Sequence, residues 1–99
     1  MIDFSDVRIF MCTTPTSMSY SFDRLMGRAQ EVFDQDPTSG HLFLFLNRRR
    51  DRIKILFWDR DGFCIWYKRL ERRTFQLPVP TEGEHGVELH SIPSLARGT

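Results

Sequence analysis

Three runs of bulky residues between residues 41 and 70 constrain the fold of this 99-residue chain most strongly. The runs cover residues 41–47, 52–59 and 63–70, and each is rich in aliphatic and aromatic residues, a composition that favours strands. Only "RRRD" and "RDG" separate the runs, and connections this short are typical of hairpins. The sequence therefore predicts an antiparallel meander of three strands, with residues 75–77 as a candidate fourth.

The segment ahead of the meander has the pattern of an amphipathic helix. Its apolar residues recur with the 3.6-residue period of an α-helix, at Phe22, Leu25, Met26, Ala29, Val32 and Phe33. Ser19 or Ser21 can cap the start of this helix, and Pro37 cannot continue it. Further upstream, β-branched and aromatic residues between positions 7 and 12 predict a short strand.

The turn lengths predict which side chains share a face of the sheet. A four-residue first turn places Leu44 beside Ile55, and a three-residue second turn with a left-handed Gly62 adds Ile65 to their face. We expect the helix to pack on this face. The opposite face then mixes aromatic residues with cations: Phe43, Phe45, Lys54, Leu56, Trp58, Cys64, Trp66 and Lys68, with Arg52 at its edge.

These patterns predict an α+β fold. It comprises an antiparallel β-meander of three to four strands, one amphipathic helix packed on one face, and an N-terminal edge strand. The length suits one domain with one core, which we assign to residues 1–79. Residues 80–99 are polar and contain Gly and Pro, so we expect a loosely ordered tail with a docked segment around residues 89–95.

Composition favours a cytoplasmic protein without a cofactor. No apolar run approaches the length that spans a bilayer, and the N-terminus lacks the basic region of a secretory signal. Cys12 and Cys64 lie in apolar runs, so we expect buried, reduced thiols. No spacing of His and Cys fits zinc, and no nucleotide-binding or hydrolase motif is present.

The charge distribution indicates an anionic partner. The net charge is only +1, yet residues 48–73 hold ten Lys and Arg against four acids. Nucleic-acid surfaces combine cations that meet phosphates with aromatic rings on which bases stack. The candidate nucleic-acid-binding residues are Arg48, Arg49, Arg50, Arg52, Lys54, Trp58, Trp66, Lys68, Arg69, Arg72 and Arg73.

Four other interpretations of the same residues stay open. The aromatic face could be a second packing layer or a homodimer interface, since large exposed apolar patches usually mark contacts. The Arg residues could simply solvate a turn and guard a sheet edge against aggregation. A nuclease using Asp59, Asp61 and Glu71 has weaker support, because the carboxylates for a two-metal site are not clustered in the sequence.

Residues 36–78 also carry a run of family-like motifs. They include "DPTSGHLF" from Asp36, the basic positions Arg49, Arg52 and Lys54, "WDRDG" from Trp58, and "KRLE" from Lys68 followed by Phe75 and Pro78. This run closely resembles the TnpB-type accessory proteins, which are encoded by the second open reading frame of the insertion-sequence-66 family of bacterial transposable elements.

The resemblance implies a non-catalytic factor that assists DNA transposition beside a separate transposase, with DNA and that transposase as partners. Two stretches depart from the family pattern. Residues 17–21 read "SMSYS" where family members carry an acid, an Arg and a Gly, and Pro93 interrupts a C-terminal segment that is usually a Leu-rich helix. A diverged copy that keeps the fold without full activity is therefore a further alternative.

Overall fold

A computed structural model describes residues 7–77 and 85–90 of the chain. The described elements, in order, are β1 (Ile9–Cys12), α1 (Phe22–Phe33), a 3₁₀ helix (Pro37–Ser39), β2 (Leu42–Leu46), β3 (Arg52–Asp59), β4 (Gly62–Arg69) and β5 (Gly86–Leu89). The strands form one sheet in the order β4-β3-β2-β1-β5. β1 runs parallel to β2, and the other neighbouring pairs are antiparallel. The predicted α+β class and the β2-β3-β4 meander are confirmed.

The chain path follows from the elements. Parallel neighbours need a crossover connection, and α1 supplies it between β1 and β2. The helix has the predicted bounds, and it ends at Asp34, which takes a left-handed conformation. With 12 residues, α1 is too short to cross a membrane, and the described part of the chain contains no helix suited to doing so.

The outer strand β5 was not predicted as a strand. It pairs with β1 along its whole length, so the predicted N-terminal strand has a neighbour on each side. β5 lies within the segment expected to be a tail, and it ends at Leu89, where the docked segment was expected to begin. The predicted domain boundary at residue 79 and the tail residues 80–84 and 91–99 lie outside the described residues. Residues 75–77, the candidate fourth strand of the meander, have no strand structure.

The second hairpin corrects the predicted register. Asp59 pairs with Gly62, so the turn contains two residues rather than three. Arg60 takes the left-handed conformation, with φ of 60°, and Gly62 lies in β4 instead. A shift of one residue moves every side chain of a strand to the other face. Ile65 therefore lies opposite Leu56, and Trp66 lies opposite Ile55.

Independently of this register, the helix packs on the face of β2 and β3 opposite to the predicted one. Leu25 and Ala29 of α1 are fully buried against the face that carries Phe43. Ring contacts hold this layer together: the Phe43 ring centroid lies 5.6 Å from that of Phe10 and 5.8 Å from that of Phe33. The other face is aliphatic, with Leu42, Leu44, Leu46, Ile53, Ile55, Met11 and Phe75 in its buried cluster. Rings near the middle of the sheet are thus core, as one of the open alternatives held.

We predict that Gly86→Ala destabilises the protein by about 1–3 kcal/mol, because the added methyl group would overpack the sheet against α1. A Cβ at this position would lie 2.7 Å from Val32 Cγ1 and would also clash with the Phe33 ring. Gly27→Ala is the matched control. No atom lies within 4 Å of a Cβ there, so we expect a gain of about 1 kcal/mol from helix propensity. Urea unfolding of both variants measures the difference, and equal stabilities would contradict the packing of β5.

Candidate nucleic-acid interface

The β2–β3 loop, residues 48–51, is organised by Asn47. The Asn47 side-chain carbonyl accepts hydrogen bonds from the backbone N–H groups of Asp51 (3.1 Å) and Arg52 (3.0 Å), and its amide donates to the Asp51 carboxylate (2.6 Å). The Asn47 hydrogen bond lowers the pKa of Asp51, with smaller contributions from Arg49 and Arg52. The acid of the loop is therefore turned toward Asn47, while Arg48, Arg49 and Arg50 are exposed to solvent.

A second basic segment, residues 69–73 at the end of β4, lies beside the β2–β3 loop. The Leu70 N–H donates to the Asp51 carbonyl (2.7 Å), and the Phe75 N–H donates to the Arg50 carbonyl (2.8 Å). Phe75 is buried in the aliphatic core, which fixes the segment in place. The last β3–β4 pair joins Arg52 to Arg69. We call the resulting surface the basic end, and it comprises Arg48, Arg49, Arg50, Arg52, Arg69, Arg72 and Arg73.

Acidic groups neutralise little of the basic end. Glu71 accepts a hydrogen bond from Arg69 Nε at 2.7 Å and raises the pKa of Arg69, but both side chains are more than half exposed, and such ion pairs are weak. Arg52 donates to the Tyr67 hydroxyl at 3.2 Å, which leaves its charge intact. Among the described residues, no ion pair engages the other arginines of the basic end. The surface therefore keeps an excess of positive charge.

Lys54 has a structural role instead of an exposed one. Its ammonium group donates to the backbone carbonyls of Met18 (2.7 Å) and Tyr20 (2.8 Å), and it lies 4.9 Å from the centroid of the Tyr67 ring. These contacts tie the loop ahead of α1 to the sheet. Because they use two of the three donors of the ammonium group, Lys54 is committed to holding the fold.

The predicted aromatic and basic face does not form as one surface. Trp58 and Trp66 lie on opposite faces of the sheet because of the corrected β4 register. Trp58 packs edge-on against Phe63, with 5.0 Å between the ring centroids. Trp66 is 47% exposed, and the Lys68 ammonium lies 6.0 Å from the centroid of its ring. A platform built from both Trp residues is therefore ruled out.

Sequence reasoning missed Asn47 and a cleft beside it. The cleft has a volume of about 240 Å³ and lies between the loop after β1 and the β2–β3 loop, where Arg48 and Arg50 line it. The signal for Asn47 was available, because Asn favours positions where its side chain closes a turn on the residues that follow. The cleft depends on the approach of two loops distant in sequence, which no local pattern reveals.

The three acids considered for catalysis are not brought together. Asp59 and Asp61 lie at the β3–β4 turn, whereas Glu71 follows the opposite end of β4. The two ends are roughly 23 Å apart, at about 3.3 Å per residue. Within the described residues, no group of three His, Cys, Asp or Glu side chains is placed to hold a metal ion. Cys12 and Cys64 are free thiols; Cys12 is buried, and Cys64 is half-buried.

Comparison with known proteins identifies the family. Residues 7–99 match the family described as "IS66 Orf2 like protein". The chain belongs to this family of transposition accessory proteins. It is 32% identical over 93 residues to "Uncharacterized protein y4hO" of Sinorhizobium fredii, a match that covers 94% of this chain and 81% of that protein.

A second relative is "Uncharacterized protein y4jC" of the same organism. It is 29% identical over 87 residues, which cover 88% of this chain and 71% of the relative. No solved structure matches the chain. The IS66 Orf2-like family assigned from the motifs of residues 36–78 is therefore confirmed.

We predict that Lys54→Met lowers the free energy of unfolding by about 1–3 kcal/mol, because two carbonyls lose a charged hydrogen-bond donor. Lys68→Met is the control on the other face, and we expect it to change stability by less than about 0.5 kcal/mol. Urea unfolding provides the measurement. Equal losses in both variants would remove the special role of Lys54.

Proposed function

We propose that this protein is a non-catalytic accessory factor for transposition of an IS66-type element, and that it binds DNA through the basic end. The observation that carries the proposal is the pair of backbone hydrogen bonds from Leu70 to Asp51 and from Phe75 to Arg50. They join two Arg-rich segments into one surface. Membership of the IS66 Orf2-like family supplies the biological setting.

The chemistry of the surface suits a phosphate backbone. Guanidinium groups present fixed forks of N–H donors that match phosphate oxygens, and they stay charged at every physiological pH. Phosphate contacts position a protein on DNA without reading its sequence. Among the described residues, the exposed aromatic side chains of the sheet, Trp66 and Tyr67, lie in β4 and not in the β2–β3 loop, so the proposal is backbone binding to duplex DNA rather than recognition of unstacked bases. We assign Arg48, Arg49, Arg50, Arg72 and Arg73 as the main contacts.

Four residues of the candidate set lie outside the basic end: Lys54, Trp58, Trp66 and Lys68. Lys54 supports the loop ahead of α1, and Trp58 packs at the far end of β3, next to the acidic turn. Lys68 lies in β4 one residue before Arg69, close enough to the basic end to add charge.

The transposase of the same element is the proposed protein partner, with the complex assembling on the DNA in the cytoplasm.

The test compares two arginines in matched backbone conformations. Arg50 lies at the basic end and Arg60 in the β3–β4 turn, and both are exposed with φ of 60°. Asn accepts this conformation readily, so Arg50→Asn and Arg60→Asn each remove one charge without adding strain. Fluorescence anisotropy with a labelled duplex of the element's end, measured across a range of salt concentrations, reports affinity and counterion release.

We predict that Arg50→Asn flattens the plot of log affinity against log salt by about 0.9, the value for one duplex phosphate contact. The affinity at about 0.1 M salt should fall by up to roughly eightfold, because each contact scales affinity with salt to about that power. Arg60→Asn should leave the slope unchanged. Equal effects of the two variants, or no binding by the parent protein at low salt, would contradict the proposal. The latter result would favour a diverged, inactive copy.

A further inference from the structure

The two edges of the sheet are built differently. β5 forms one edge and has four residues, whereas β4 forms the other and has eight. Long exposed edge strands pair readily with other chains, so proteins usually shorten, cover or interrupt them. Within the described part of the chain, β4 pairs only with β3. The outer side of β4 is therefore a ready template for another strand.

The hydrogen bonds at the end of the hairpin show which backbone groups are free. The Leu70 N–H donates to Asp51, which continues the β3–β4 pairing by one position. Backbone groups of an antiparallel strand point alternately to either side, so the N–H and C=O groups of the even-numbered residues of β4 point toward β3. The N–H and C=O groups of the odd-numbered residues point outward from the sheet, at Phe63, Ile65, Tyr67 and Arg69.

Side chains along this edge also lack cover. Trp66 is 47% exposed and Tyr67 is 46% exposed, and the two lie on opposite faces in the middle of β4. Large exposed aromatic residues on both sides of one edge indicate a contact surface, because each buries much apolar area when a partner arrives. A strand added along β4 would cover both residues at once.

Charge on the edge is segregated in a way that selects the partner. The turn at the start of β4 carries Asp59, Arg60 and Asp61, a net negative charge, and the end of the strand carries Lys68 and Arg69, of which Arg69 also pairs with Glu71 of its own chain. An antiparallel copy of the same strand would place its acidic turn beside this basic end, and its basic end beside this acidic turn. We propose that the protein forms a homodimer in which β4 pairs antiparallel with β4 of a second copy.

One register satisfies both the charges and the free backbone groups. With Ile65 opposite Ile65 of the second copy, Phe63 lies opposite Tyr67 and Asp61 opposite Arg69. Aromatic pairs and opposite charges across neighbouring strands are each stabilising. Moving the register by two residues, with Trp66 on the axis, would place Asp61 opposite Glu71, and like charges directly opposite are destabilising. The resulting dimer has a continuous ten-stranded sheet.

The oligomeric state tests the proposal without DNA. Sedimentation velocity of the full chain from about 1 to 500 µM covers the affinities expected of a narrow interface. We expect a monomer–dimer equilibrium that Trp66→Arg shifts to the monomer. Phe22→Arg is the control, because Phe22 is also exposed, at 43%, but lies at the start of α1. Circular dichroism of each variant establishes that it is folded.

A charge exchange tests the register itself. Asp61→Arg and Arg69→Asp should each weaken the dimer by roughly tenfold, because the symmetry places two such pairs in the interface. The double variant restores both pairs with reversed sign and should recover the parent's dissociation constant. A monomer at every concentration would overturn the proposal. A dimer that Trp66→Arg leaves intact, or a double variant no better than the singles, would also overturn it.

Discussion

Two backbone hydrogen bonds, from Leu70 to the Asp51 carbonyl and from Phe75 to the Arg50 carbonyl, are the constraint on which the basic end depends. The first exists because the β3–β4 pairing continues in register beyond the strand ends. The second exists because Phe75 is buried on the aliphatic face. The core thus fixes where the Arg-rich segments meet, and it leaves their side chains in water.

The family motifs help to build this scaffold. Asp36 accepts hydrogen bonds from the N–H and the hydroxyl of Thr38 and so caps the 3₁₀ helix. Gly40 has φ of 89°, a conformation that suits glycine, and His41 Nδ1 accepts the Arg8 N–H at 3.0 Å. Lys54 holds the loop ahead of α1. Residues of these motifs thus hold parts of the fold together in this chain, whereas the proposed DNA contact rests on the exposed arginines.

The departure from the family pattern at residues 17–21 has a structural explanation. Lys54 binds this segment through the backbone carbonyls of Met18 and Tyr20. Every residue type offers such a carbonyl, so the loop can keep its place on the sheet although its side chains differ from the family pattern. The hydroxyls of Ser17 and Ser19 bond to one another at 2.8 Å, which adds local order.

Local patterns predicted most of the elements, and long-range geometry decided the rest. The period of α1 and the short turns of the meander were sufficient for the helix and for β2, β3 and β4. The β4 register was predicted wrongly because "RDG" allows either Arg60 or Gly62 to take the left-handed position. Arg60 takes the left-handed position, which shortens the loop by one residue and places Trp66 on the other face. β5 was missed because its pairing with β1 joins distant parts of the chain.

The contrast between local patterns and long-range contacts also explains which parts of the candidate site could be predicted. The Arg residues of the basic end were recognisable from charge alone, but the sequence could not show that two separate turns meet there. It also could not show that Lys54 is committed to two carbonyls. The Lys54 contacts join residues more than 30 positions apart in the sequence. The meeting of the two turns depends on the burial of Phe75.

Mapping backbone amide chemical shifts while a short duplex is titrated into ¹⁵N-labelled protein tests the proposed contact between DNA and the basic end most directly. We expect the largest changes on residues 48–50 and 69–73, on both sides of the two joining hydrogen bonds. Amides of the β3–β4 turn, around Arg60, should remain unchanged. Changes centred on that turn or on α1, with the basic end unaffected, would contradict DNA binding at the basic end.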